Sequence, residues 1–117
     1  MHHTVTIYGI ANCDTIKKAK KWLSDRSLEF HFHDYRKQGL DPALLQSWVD
    51  ELGWEILINK RGTTWRQLPD DVKSTVDSES AMMIMLDNPA IIKRPMLVKD
   101  HERHVGFSDA SYSKLFE

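Results

Sequence analysis

The chain of 117 residues holds one cysteine, Cys13, so no disulfide can form within it and no framework of cross-links can brace the fold. Glycine and proline are sparse, five and four, which excludes collagen-like repeats and flexible linkers. No apolar run has the length of a membrane span, and no charged start followed by an apolar stretch marks a secretory leader. Neither sign of charge dominates, with 16 Lys+Arg against 17 Asp+Glu, so bulk electrostatics gives no drive toward nucleic acid or an anionic membrane. Glycine-rich phosphate loops, serine triads and recognition helices are missing as motifs. These absences set the expectation of a cytoplasmic protein in a reducing compartment. It has no membrane partner and no direct nucleic-acid partner, and residues 1–117 form a single domain held by hydrophobic packing alone. His2 and His3 follow Met1, where a native start and a tag remnant look alike.

What is present reads as alternating strands and helices. Residues 4–8 are β-branched and aromatic and stop at Gly9, which predicts a buried first strand. From Thr15 the period becomes helical: Ile16, Ala19, Trp22 and Leu23 share a face, Lys17, Lys18, Lys20 and Lys21 fill most of the rest, and the helix runs to about Ser24 or Arg26. Residues 28–34 alternate Leu28, Phe30 and Phe32 with Glu29, His31 and His33, so a second strand follows, parallel to the first. Residues 35–40 read as a polar connector. Asp41 and Pro42 then cap and start a helix whose stripe is Leu44, Leu45, Trp48, Val49 and Leu52, and Gly53 ends it.

Residues 54–59 read as a short helix rather than a strand, and residues 60–68 as a polar connector. Residues 70–76 hold a helical turn or two, and the apolar run 81–86 is an interior helix stopped at Asn88-Pro89. Residues 90–98 and 104–107 predict a hairpin with a longer loop at 99–103. A closing helix follows, capped by Ser108 or Asp109, with Tyr112, Leu115 and Phe116 on one face. The order β-α-β, helices, β-β-α predicts an α/β fold, a mixed sheet of about four strands with flanking helices and a helical insertion.

Chemistry centres on Cys13. Most free cysteines inside cells are small buried hydrophobes. A thiol between a strand and a helix start, beside Asn12, Asp14 and Thr15, instead meets open backbone N–H groups and the positive end of the helix dipole, and both stabilise a thiolate. With no second cysteine, a redox cycle through Cys13 takes its other sulfur from outside the chain. Lys17 lies one turn beyond it, near enough to support a thiolate or a carboxylate, although a lysine-rich face is first of all a solvated one. Thr15 either donates to the sulfur or caps the helix. His31 and His33 share one face of the second strand, but no further ligands stand at metal spacing, so no metal site is expected. Tyr8 and Trp22 read as core residues, and Trp65 and Arg66 as structural.

The strand feeding a helix-start cysteine, the later helical insertion, and Ile92-Lys93-Arg94-Pro95 opening a hairpin together resemble the thioredoxin-like fold of the ArsC/Spx family, over almost the whole chain. Three blocks in order are most similar to its YffB-type branch: Gly9-Ile10-Ala11-Asn12-Cys13-Asp14-Thr15-Ile16-Lys17-Lys18, Arg61-Gly62-Thr63-Thr64-Trp65-Arg66 and Ile91-Ile92-Lys93-Arg94-Pro95. The resemblance implies that Cys13 is the nucleophile, Arg94 an oxyanion-binding arginine and Pro95 the cis-proline of the fold. It implies a glutathione-dependent thiol reductase with no bound cofactor and glutathione as co-substrate, and glutaredoxin as a further partner. Arg94, Arg61, Lys17 and Thr15 are then the substrate- or anion-binding set.

Departures from the family pattern shape the alternatives. Arsenate reductases of the family have a histidine where this chain has Gly9, a middle arginine near Asn59 with Arg61 displaced from it, and a third arginine where this chain has Gly106. Glutaredoxin-coupled arsenate reduction is therefore the second expectation. Spx regulators bind RNA polymerase and often carry Cys-x-x-Cys. Ile16 takes the second thiol's place here, which excludes the intramolecular switch and leaves a non-enzymatic, polymerase-binding regulator as the third expectation.

Overall fold

Burial alternates along the first strand, with Val5, Ile7 and Gly9 buried and Thr6 and Tyr8 half covered, the period of a strand with one face on a core. In the computed structural model, which describes residues 4–117, thirteen elements follow in order. They are β1 (Val5–Gly9), α1 (Asp14–Asp25), β2 (His31–Asp34), α2 (Tyr35–Gln38), α3 (Pro42–Leu52), α4 (Trp54–Leu57), α5 (Thr63–Arg66), α6 (Asp70–Ser74), α7 (Ser78–Asp87), a 3₁₀ turn (Pro89–Ile91), β3 (Met96–Lys99), β4 (Glu102–Val105) and α8 (Asp109–Leu115). His2 and His3 lie outside the described residues. The sheet has the order β2-β1-β3-β4, with β2 parallel to β1 and the other pairings antiparallel. This is the mixed α/β architecture that the sequence predicts, and no helix of the described residues is long and apolar enough to cross a membrane.

Two compact units divide the chain, one formed by the stretch up to Gln38 together with Arg94–Glu117, the other by Gly39–Lys93. In the sheet unit, α1 lays Ile16, Ala19, Trp22 and Leu23 over Val5, Ile7 and Leu97, and Tyr112 of α8 completes the cluster. The Trp22 indole N–H donates to the Asp109 carboxylate, and the Arg26 guanidinium lies 3.8 Å from the Trp22 ring centre. Ser108 caps α8 through a reciprocal pair of bonds with Ser111, as the sequence allows. In the helical unit, Leu45, Trp48 and Val49 of α3 are buried and α3 packs on α7. Asp41 caps α3 by accepting from the Ala43 amide at 3.1 Å.

Several boundaries differ from expectation, each for a local reason. β2 starts at His31, not Leu28: the chain turns at Ser27, which has φ 57°, and Leu28 and Phe30 pack against the core without joining the ladder. The hairpin has a two-residue turn at Asp100 and His101 instead of a long loop, because Asp100 accepts the left-handed φ of 56°. Its amide donates to the Thr4 carbonyl at 2.7 Å and its carboxylate accepts from the Thr4 amide at 2.9 Å. The polarity of residues 99–103 marks an edge strand rather than a loop. Residues 35–40 and 60–68, read as connectors, contain the single-turn helices α2 and α5. After α4, Ile58 makes one bridge to Ile92, where strand had been expected from Ala90 onward. Only one side of α7 is interior: Ala81 and Met85 are fully buried while Met83 is 65% exposed. Tyr8 is half covered rather than core.

Leu97 is fully buried between β1 and α1, so Leu97→Ala is expected to lower unfolding free energy by about 2–5 kcal/mol in urea titration. Partial burial holds the His104 imidazole below its ordinary pKa of 6.5. The unfolded chain then takes up a proton that the folded chain resists, so stability falls as pH drops below that value. Denaturation curves at about pH 7 and about pH 5 are expected to show a smaller loss for His104→Asn than for the parent protein.

Candidate active site

Beyond the end of β1 the chain passes through buried Ile10 and exposed Ala11 and Asn12 to Cys13, whose amide donates to the Ala11 carbonyl at 3.0 Å. Cys13 is the N-cap of α1, extended at φ −148° and ψ 125°, and its carbonyl accepts from the Lys17 amide at 3.0 Å. No side chain caps this helix. The sulfur therefore occupies the position from which a serine or aspartate oxygen would meet the first-turn amides, which have no partner inside the helix. Thr15 lies in the first turn rather than at the cap, and is half-buried; Lys17 is exposed. Cys13 itself is half-buried, resting on the core cluster while keeping contact with solvent.

Close packing at Gly9 brings the head of α1 over the strand end. A Cβ on Gly9 would lie 2.5 Å from Ile16 Cδ1 and 3.7 Å from Arg94 Cγ, and Ile16 is fully buried. The histidine that arsenate reductases carry at this place has no room here. Arg94, half-buried, runs its stem past Gly9 and precedes Pro95 through a cis peptide bond, as the resemblance implies. The Pro95 carbonyl accepts from the Gly106 amide at 2.8 Å. Gly106 has φ 88°, a conformation that strains an arginine, which explains why this position does not supply the third cation.

The same sheet edge carries groups that sequence reasoning missed. Tyr35, only 4% exposed, follows Asp34, which pairs with Gly9. The Asp34 carboxylate accepts from the Arg36 amide at 2.9 Å, and the Asp34 amide donates to Gln38 Oε1 at 3.1 Å, so α2 is pinned to the end of β2. The Tyr35 ring stacks on Tyr8 with centroids 6.5 Å apart, and His33 stands edge-on to Tyr8 at 5.0 Å. Burial pushes the Tyr35 hydroxyl far above its ordinary pKa, the neighbouring Tyr8 adds to the shift, and the Arg94 guanidinium opposes it. Tyr8 is also raised by burial, with Arg103 opposing. The one available signal was Asp34 at a strand end with Gln38 four residues on, a turn-forming pair.

Cys13, Thr15, Lys17, Arg94 and Pro95 all belong to the sheet unit. Arg61 belongs to the helical unit, where it is exposed and its amide donates to Asn59 Oδ1 at 3.2 Å. His31 is exposed and His33 half-buried against the tyrosines, and among the described residues no cluster of three or more His, Cys, Asp or Glu could hold a metal.

Known proteins align along nearly the whole chain. The ArsC family profile matches residues 8–115. An uncharacterized protein of Haemophilus influenzae is 45% identical over 112 residues, 96% of this chain and 98% of its own length. Among solved structures, the YFFB protein superposes with a TM-score of 0.89 at 40% identity, covering 95% of this chain and 97% of that one. An arsenate reductase (ArsC) related protein of Brucella melitensis gives a TM-score of 0.82 at 49% identity, covering 97% and 95%.

Adding one methyl group at Gly9 is expected to displace Ile16 from the strand end. Gly9→Ala should destabilise the protein by about 1–3 kcal/mol in urea titration, and should change the alkylation rate of Cys13, four residues away on the same loop.

Proposed function

Because this chain belongs to the ArsC family and offers one half-buried thiol at the head of α1, we propose that it is a glutathione-dependent thiol reductase working through Cys13. The observation that carries this reading is the pairing of the unpartnered N-cap thiol with the Arg94 stem packed at the same strand end. The Cys13 thiolate attacks the glutathione sulfur of a mixed disulfide. A Cys13–glutathione bond forms as the old S–S bond breaks, and the departing thiolate takes a proton from water. A second glutathione thiolate then attacks this adduct, releasing Cys13 and leaving as oxidised glutathione. In sum the mixed disulfide and one glutathione thiol become the substrate thiol and oxidised glutathione, the substrate sulfur gaining the one electron and one proton that the second glutathione gives up. Arg94 holds a glutathione carboxylate, with Lys17 adding positive charge from the second turn of α1.

Two features weigh against arsenate as the oxidant: Gly9 has no space for a histidine, and Gly106 sits at a φ unsuited to arginine. Ile16 leaves no second thiol for an Spx-type switch.

Incubation with oxidised glutathione is expected to add one glutathione to Cys13, read by intact mass, and Cys13→Ser should abolish both the adduct and disulfide turnover. Arg94→Ala should raise KM for glutathione by roughly 10–100-fold, the loss of a charge-assisted hydrogen bond of about 1.5–3 kcal/mol. A protein that iodoacetamide alkylates but glutathione does not modify would refute the reading. Turnover of arsenate with glutaredoxin would replace it with the second expectation.

A further inference from the structure

Among the described residues, the large apolar side chains left in solvent are Ile56, 50% exposed, and Met83, 65% exposed. Exposed apolar residues scattered singly are ordinary. These two are not scattered. Ile56 lies on α4 and Met83 on α7, and α3, α4 and α7 pack pairwise against one another within the helical unit. α7 also lacks the polar outer side of a surface helix, since every residue between Ser80 and Asp87 is apolar. Ala81 and Met85 face the interior, while Met82, Ile84 and Leu86 are only half-buried and Met83 points outward. A helix apolar on all sides belongs under a cover, and this one has a cover on one side only.

Charge on these helices has a single sign. Residues 39–59 and 74–92, which hold α3, α4 and α7, contain no Lys, Arg or His, and every ionisable side chain in them is an Asp or Glu. Glu79 and Asp87 stand one turn before and one turn after Met83 on its side of α7, and Glu55 precedes Ile56. All three carboxylates are exposed, and among the described residues none has an ion-pair partner. The nearest cation along the chain, Lys60, lies over the Trp54 ring, 5.3 Å from its centre. Residues two apart on a helix do not share a face, so Lys60 does not neutralise the side that Ile56 occupies.

We propose that the outer face of α4 and α7 is a docking surface for a basic amphipathic helix of another protein. Its apolar stripe covers Ile56 and Met83, and its Lys and Arg side chains meet Glu55, Glu79 and Asp87. Apolar surface with a charged rim marks an interaction site, and methionine adapts its shape to the side chain it meets. The one-turn spacing of Glu79, Met83 and Asp87 matches the spacing of a facing helix. A second copy of this chain fits poorly, because closing the face on itself sets carboxylate against carboxylate. The same charges repel an anionic membrane. Nothing in this inference depends on the chemistry of Cys13.

The probe is a fluorescein-labelled Leu/Lys peptide designed as a helix with one leucine face and one lysine face, its binding read by fluorescence anisotropy. Two controls keep the design but replace every Leu by Ser or every Lys by Glu, and each is expected to bind at least about 10-fold more weakly. Met83→Gln and Ile56→Gln should each weaken binding of the Leu/Lys peptide by about 5–10-fold, as loss of part of a buried apolar side chain predicts. The double variant Glu79→Lys, Asp87→Lys should weaken it further and flatten its salt dependence. Melting midpoint and the rate of Cys13 alkylation by iodoacetamide should stay at the parent values in all of these, since the positions are exposed. Equal binding of the Leu and Ser peptides would reduce the face to plain charge attraction and overturn the proposal, as would binding indifferent to Met83 and Ile56. A midpoint several degrees lower in Met83→Gln would assign that side chain to the fold and overturn it too. Sedimentation showing a dimer that Met83→Gln dissociates would give the face to a second copy instead.

Discussion

Gly9 has no side chain, and Ile16 fills the space that one would take, with its terminal carbon 2.5 Å from where a Cβ would stand. That close approach sets how far the head of α1 advances over the end of β1. The advance in turn sets where Cys13 stands as N-cap and where the Arg94 stem can pass. The sulfur's surroundings are thus governed by packing between a strand and a helix, not by a polar network around the thiol. A family position that elsewhere carries an imidazole has become a contact surface. The chemistry left at the site relies on helix-terminal amides and on Arg94 for positive character.

Much of this was legible in the amino-acid sequence. The helical period of Ile16, Ala19, Trp22 and Leu23 and the β-branched run before Gly9 placed the strand–loop–helix around Cys13, because burial dictates both patterns. Asp41 before Pro42 and Ser108 before α8 were readable for the same kind of reason, since caps are local. Non-local effects escaped. The tight turn at Asp100 depends on bonds to Thr4, 96 residues away, and polarity there looks the same in an edge strand as in a loop. The single-turn helices α2 and α5 are too short to show a period.

Cys13, Arg94 and Pro95 stood out in the sequence from their place in two of the three blocks. Tyr35 did not, because nothing in a polar stretch of sequence reveals that one hydroxyl ends up buried and unanswered. Tyr8 was misjudged in the other direction: aromatic residues in a strand suggest core, yet position 8 faces away from α1 and shares its side of the sheet with His33. The departures at Gly9 and Gly106 were visible as letters, but only the packing at one and the backbone angle at the other give them a physical cause.

The reciprocal bonds between Thr4 and Asp100 fasten the start of β1 to the tip of the β3–β4 hairpin. β1 spans five residues from there to Gly9, a distance of roughly 17 Å at strand rise. Thr4 and the hairpin tip therefore stand at the end of β1 opposite the one from which the loop to Cys13 leaves. The clasp and the sulfur thus sit at opposite ends of one strand, so a change at Asp100 acts on the hairpin tip and not on the surroundings of Cys13.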